Sequence, residues 1–338
     1  MQQQNTSSNW LHFFDRYILL LVSAFLLIFI LLYPKIPLFD LIEGYIVRAR
    51  LEDILIAAAL GIYFIQLLRK KITLTTPLTK LIFAYTVIGF FSTVSGIFIT
   101  QTIPSTEIHL AKSFLHFVRY IEYFSLFFLL SAAVKTKKDV KLLLGVLVTT
   151  VLLVGLYGLG QKYLYWPVYS TMNREFSKGI VLYLTEHARV QSTFAGHYDM
   201  AAYLVILLPI ILSLIFQQTL SKMSKIILWS TYLLGLLLMM LSASRTSLAG
   251  LVAGLFLVIF LTSILKKNWY EKYTFFLTHS LINGLIFIFL FIFFGSNMAD
   301  RLLQVVENYP RFIAIQESIE QTKQELLAQI SPDGYATF

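Results

Sequence analysis

"RVQSTFAGHYDMAAYLVILLPI", residues 189–210, joins two kinds of chain. Its first half carries Arg189, His197 and Asp199 within eleven residues, and its second half is almost wholly apolar. An apolar run at this spacing reads as a helix that crosses a bilayer, which takes about 20 residues to span roughly 30 Å of hydrocarbon. Ionisable side chains at the mouth of such a helix are costly and call for a reason.

The rest of the chain repeats the apolar pattern. Of 338 residues, 57% are hydrophobic and 13% charged, about half the charged share of a soluble domain. The pattern predicts an all-α, polytopic membrane protein. About nine spans are expected, near residues 17–33, 51–68, 78–98, 110–133, 141–160, 200–216, 225–242, 247–265 and 274–295. The alternation of a membrane barrel is not seen. The expected division is a polar tail over 1–16, a transmembrane bundle over 17–295 with a long loop at 161–199, and a helical tail over 296–338. Aromatic content in the long loop predicts one or two short helices lying on the bilayer surface, and helical spacing of apolar residues from Phe312 to Ile330 predicts an amphipathic helix. The N-terminal segment lacks a signal-peptide layout and reads as a retained anchor.

Charge sorts the connections. Those at Arg69–Lys80, Lys135–Lys141, Lys222–Lys225 and Lys266–Lys272 hold 13 Lys and Arg in 30 residues, whereas 34–50, 99–112, 161–199 and 242–247 hold 9 in 76. The two sets alternate along the chain. The positive-inside rule then predicts a cytoplasmic N-terminus, with 161–199 and 296–338 external. The net charge of +9 is thus mostly topological, and nucleic acid is not an expected partner. There is no Cys, so thiol chemistry and disulfides are excluded. No His/Asp/Glu set has metal-ligand spacing, so no metal is expected, and nothing points to an organic cofactor.

Taken singly, Arg189 and Arg245 fit interfacial arginines that reach toward headgroups. As a pair they suggest more. Both fall on the same expected face, each at a helix mouth, and Arg245 sits in the tight "LSASRTSLAG" turn where Ser244 or Thr246 can cap the next span. Two planar guanidinium forks beside a helix N-terminus suit a diphosphate. In span four, Lys112, His116, Arg119 and Tyr123 share one face, with Glu122 three residues after Arg119. That set reads either as an Arg119–Glu122 pair that fixes helix packing or as the wall, with His116, of a polar cavity. Gly250 with Gly254, and Gly89 with Ser92 and Gly96, read as close helix packing. Glu52 and Asp53 read as acids that suit the start of span two.

"RARLEDILIAAAL", "RYIEYFSLFFLL", "GLYGLGQ", "STMNREFSKG", "RVQSTFAGHYDMAAYLVILLPI" and "LSASRTSLAG" occur in an order that resembles the O-antigen ligase and O-antigen polymerase family over most of residues 45–260. One departure is His197-Tyr198-Asp199, where relatives often read Asn-Pro-Asn or His-Pro-Asn. The resemblance implies a glycosyltransferase of the bacterial inner membrane. It would move a glycan from undecaprenyl diphosphate to a hydroxyl of an acceptor glycan or lipid on the external face, without a metal, in lipopolysaccharide or polysaccharide biosynthesis. It also implies that Arg189 and Arg245 hold the diphosphate. The family's general base is a His in a large external loop after a late span; no His follows His279, so the expectation is a fragment lacking that loop, inactive alone, or a base elsewhere, with His197 the local candidate. The competing expectation is a transporter or flippase for a lipid-linked or anionic envelope precursor.

Overall fold

The structure is a computed structural model that describes residues 4–41, 48–173, 175–217, 219–307 and 318–322. It is all-α apart from one short hairpin. The helices are α1 (Gln4–Leu32), α2 (Leu51–Leu68), α3 (Thr79–Phe98), α4 (Glu107–Ala133), α5 (Lys137–Tyr163), α6 (His197–Ile215), α7 (Lys222–Ser242), α8 (Arg245–Ile264), α9 (Trp269–Phe294) and α10 (Ser296–Glu307). Among the described residues, nine of these are long and apolar enough to cross a membrane, α1 by its Phe13–Leu32 portion. The nine expected spans are all present. Several helices begin a turn earlier than apolarity alone indicates, because polar residues make up the first turn: Lys137–Asp139 in α5, His197–Asp199 in α6 and Arg245–Thr246 in α8. α1 likewise runs back through the polar segment read as a tail.

Two apolar cores hold the bundle. The larger is built from α5 to α8, where Val151, Met200, Leu204, Leu208, Met239 and Leu251 are fully buried. The backbones approach closely there. A methyl group at Gly155 would lie 2.5 Å from Leu234, and one at Gly235 would lie 2.5 Å from Leu208. Van der Waals packing is the main attraction between helices in lipid, so small residues at crossings matter. Gly254 serves the α6–α8 crossing in the same way against Pro209. The smaller core joins α1, α2, α4 and α5 through Leu19, Leu26, Ile56, Tyr63, Leu129 and Leu143. α3 packs chiefly on α4.

The ends of the bundle differ in their connections. One end carries the links 69–78, 134–136, 216–221 and 265–268, where Lys and Arg lie in the links or, at Lys222 and Lys225, in the helix turn that follows; it is called the basic end. Acids there are tied to cations. Asp15 of α1 accepts from both Nη atoms of Arg69 at 2.5 and 3.2 Å and lies 3.2 Å from Lys71. Asp139 of α5 accepts from Arg16 at 2.8 Å and from the backbone N–H groups of Lys135 and Thr136. The opposite, loop end carries 33–50, 99–106, 164–196 and the two-residue α7–α8 turn.

Two loop-end segments depart from the sequence expectation. Part of 33–50 forms an antiparallel pair, β1 (Pro37–Asp40) with β2 (Arg48–Arg50). The long connection contains no surface helix among its described residues; it has one 3-10 turn (Phe176–Lys178) and a bridge between Val168 and Leu182. Its regularity comes from long-range hydrogen bonds. Buried Gln161, at the end of α5, donates to the Ser192 and Pro167 carbonyls and accepts from the Ser192 N–H at 2.8 Å. Ser192 donates to the Val154 carbonyl, and Thr193 to the Leu31 carbonyl of α1. Beyond α10 only 318–322 are described, and they are helical; the rest of the amphipathic helix expected from Phe312 to Ile330 lies outside the described residues.

Candidate functional site

The loop end gathers most of the charge that is not accounted for at the basic end, in two clusters at two helix mouths.

The first surrounds the start of α2. Asp53, the third residue of the helix, accepts from the Arg50 N–H at 2.9 Å and from Arg119 of α4 at 2.7 Å. Glu52 is buried, and its carboxylate meets Lys35 and, at 3.1 Å, Arg50. Lys35 also donates to the Ile30 carbonyl at 2.6 Å, and Arg50 reaches Thr171 of the long connection at 3.4 Å. Arg119 closes the set by a 2.9 Å bond to Glu122. Both carboxylates at the α2 mouth are therefore matched by cations, as buried charges require. The arrangement staples the β-hairpin, α2, α4 and the long connection together.

His116 takes no part in this cluster. It lines a hollow of about 310 Å³ between α3 and α4 together with Tyr85, Ser92, Thr93, Ser113 and Tyr120. The span-four face predicted from spacing is thus divided between two neighbours: Arg119 and Glu122 address α2, and His116 addresses α3.

The second cluster is at the mouth of α6. Arg189 precedes the helix and is half-buried. Its Nη1 lies 2.5 Å from Nε2 of His197, the first residue of α6, and 3.3 Å from the Tyr198 hydroxyl. The guanidinium also faces the Tyr198 ring, 5.9 Å from its centroid. A guanidinium has only donors, so Nε2 of buried His197 must be the acceptor, and the ring's proton sits on Nδ1. Among the described residues, Arg16, Arg50, Arg69 and Arg119 each meet a carboxylate. Arg189 meets an imidazole and a phenol instead.

Arg245 belongs to the same end and adjoins the same segment. The Val190 N–H donates to the Leu241 carbonyl at 3.1 Å, joining the chain next to Arg189 to the last turn of α7. The α7–α8 turn is short and enclosed. Ser242, Ala243 and Ser244 are buried, and Ala243 adopts a left-handed conformation (φ 48°), which costs an ordinary residue about 1 kcal/mol and persists only where the surroundings fix it. Arg245 then opens α8 with an exposed side chain. Ser244 occupies the N-cap position but makes no cap bond; its hydroxyl donates to Ser247 at 2.9 Å. Ser244 thus leaves the first amides of α8, the groups that make a helix N-terminus attractive to anions, without a bond from its own side chain.

Of the residues predicted for the site, then, Arg189 and His197 touch, Arg245 opens α8 just after the adjoining turn, Arg119 and Glu122 belong to the α2 cluster, and His116 faces a separate hollow. Lys35, Arg50, Thr171 and Gln161 were missed. Gln161 had a signal, since a buried amide within the Gly-rich "GLYGLGQ" end of a span needs partners. Asp53 reads as an acid suited to the start of span two, and its third helical position is also a signal that fits a capping box. Lys35 and Thr171 had none, because their partners are distant in sequence.

No family model, no curated protein and no solved structure matches this chain.

Proposed function

We propose that the loop end is the external face and that Arg189 and Arg245 bind a lipid-linked diphosphate there, for transfer of its glycan to an acceptor hydroxyl. The observation that carries this reading is the cation at the α6 mouth. Arg189 is half-buried, meets no carboxylate among the described residues, and adjoins the α7–α8 turn through the Val190–Leu241 bond. A positive charge that meets no carboxylate among the described residues, near a helix start whose N-cap side chain makes no cap bond, suits an anionic ligand. An apolar groove of about 620 Å³ between α7 and α9, lined by residues such as Leu233, Leu237, Leu285 and Phe289, supports the lipid half of the reading. Leu237 lies five residues before the end of α7, roughly 7.5 Å at the helical rise, so a prenyl chain in the groove would have its head near the turn. In the transfer step the bond between the anomeric carbon and the phosphate oxygen breaks, and charge grows on the departing diphosphate. Fixed guanidinium groups stabilise that charge without a metal.

Binding tests the reading. A short-chain polyprenyl diphosphate is expected to bind the purified chain more tightly than the monophosphate. Arg189→Ala and Arg245→Lys should each erase the preference, the second because a lysine keeps the charge but loses the bidentate fork. Equal binding of both lipids, or an unchanged preference in both variants, overturns the shared site and leaves two interfacial arginines. Diphosphate binding without transfer to any hydroxyl acceptor would favour a transporter instead.

A further inference from the structure

Three helices of this chain carry an aspartate at the same register, the third residue. Asp53 of α2 and Asp139 of α5 each accept backbone N–H groups in a capping box and an arginine besides. Asp199 of α6 does neither. Gly196 forms the N-cap without a side-chain bond, and the Asp199 carboxylate has no hydrogen bond and no ion pair among the described residues. Its residue is exposed. One carboxylate oxygen turns back over the helix start, 3.9 Å from where a Cβ on Gly196 would lie. Arg50 and Lys35 act on it only through space, and both are already bound to Glu52.

We propose that Asp199 is the base that removes the acceptor hydroxyl's proton in the transfer step, which rests on the diphosphate reading above. His197, two residues earlier, cannot fill that role as placed: the lone pair of its Nε2 is taken by Arg189. Asp199 keeps its oxygen lone pairs open. Two residues along a helix is a rotation of about 200°, so the Cα–Cβ bonds of His197, which holds Arg189, and of Asp199 leave the first turn in nearly opposite directions. Displacement at an anomeric carbon with inversion needs that separation. The leaving group departs toward the cations on one face of the sugar, while the nucleophile, with its base, arrives on the other. As the acceptor oxygen bonds to the anomeric carbon, its proton passes to the Asp199 carboxylate. The electron pair of the broken carbon–oxygen bond leaves on the diphosphate, and the neutral carboxylic acid returns its proton to water. No oxidant, reductant or metal enters the balance.

The test uses the full chain in lipid nanodiscs, with a short-chain polyprenyl diphosphate N-acetylglucosamine as donor and an oligosaccharide acceptor. Asp199→Asn should bind the donor like the wild type and transfer roughly 10²- to 10⁴-fold more slowly, the usual loss for a missing general base. Asp199→Gly should regain part of its rate when formate is added, because a free carboxylate can occupy the vacated space; a structural aspartate would not respond. Normal transfer by Asp199→Asn with normal donor binding overturns the base and leaves the diphosphate site standing. Loss of donor binding in Asp199→Asn, or no rescue of Asp199→Gly by formate, also overturns it by marking Asp199 as structural. A wild-type chain that neither binds nor transfers overturns the functional reading, and the base falls with it.

Discussion

At the mouth of α2 each acid has its cations: Glu52 sits against Lys35 and Arg50, and Asp53 against Arg119 and the Arg50 N–H. At the mouth of α6 an aspartate occupies the same third position and an arginine lies eight residues upstream of the helix, yet the pairing is absent among the described residues. Arg189 leans on His197 and Tyr198, and the Asp199 carboxylate makes no hydrogen bond or ion pair among the described residues, with Arg50 and Lys35 acting on it only through space. The difference is not one of composition, since both mouths hold arginine and acid. It lies in what each backbone segment brings near. Lys35, Arg50 of the β-hairpin and Arg119 of α4 bring cations to α2, whereas the chain next to Arg189 is joined to the last turn of α7, after which Arg245 opens α8. Saturated charge fastens helices together, and unsaturated charge at a surface is available to a ligand.

Stability measurements should separate the two mouths. The largest effect is expected at Glu52. Glu52→Gln strands the buried Lys35 ammonium, and breaking such a pair from one side costs about 3–5 kcal/mol. Unfolding of the purified chain in detergent reads it. Lys35→Met combined with Glu52→Gln should recover most of the loss, and no recovery would mean that Glu52 acts by another route. Asp53→Asn comes next, at about 0.5–2 kcal/mol for a weakened helix start, together with a looser hold on Arg119. Asp199→Asn is expected to change stability by less than about 0.5 kcal/mol, the usual range for a surface site without partners. If Asp199→Asn destabilised the chain as much as Asp53→Asn, the contrast between the two mouths would collapse.

Orientation can be checked without a change in stability. Cysteine at exposed His187, in the long connection, should react with an impermeant maleimide in intact cells. Cysteine at exposed Lys138, at the basic end, should react only after permeabilisation. The reverse pattern would turn the loop end toward the cytoplasm and remove the external donor from the account.

The spans were legible because hydropathy over about 20 residues reflects one physical demand, the cost of exposing polar groups to lipid. Their starts were less so: His197, Lys137 and Arg245 look like loop residues by polarity, although each opens a helix. The fold of the long connection was not legible at all. Gln161 finds Ser192 across 31 residues, and Thr193 finds Leu31 across 162, and no local pattern carries such pairs. The candidate site lay between these cases. Arg189 and Arg245 stood out as charges at helix mouths, but that Arg189 meets no acid and Asp199 no donor among the described residues are properties of the surroundings. They appear only once Asp53, Asp139 and Asp199 can be compared in place.

The most direct test of the ligand site is covalent mapping. A short-chain polyprenyl diphosphate bearing a photoreactive diazirine beside its headgroup would be irradiated with the chain in nanodiscs and the adducts located by mass spectrometry. Adducts are expected on residues 189–198 and on 243–246 together, and both sets should disappear in Arg189→Ala. Adducts confined to the basic-end links, or spread over the lipid-facing surfaces of α3 and α9 and unchanged in Arg189→Ala, would contradict a diphosphate site at the α6 mouth.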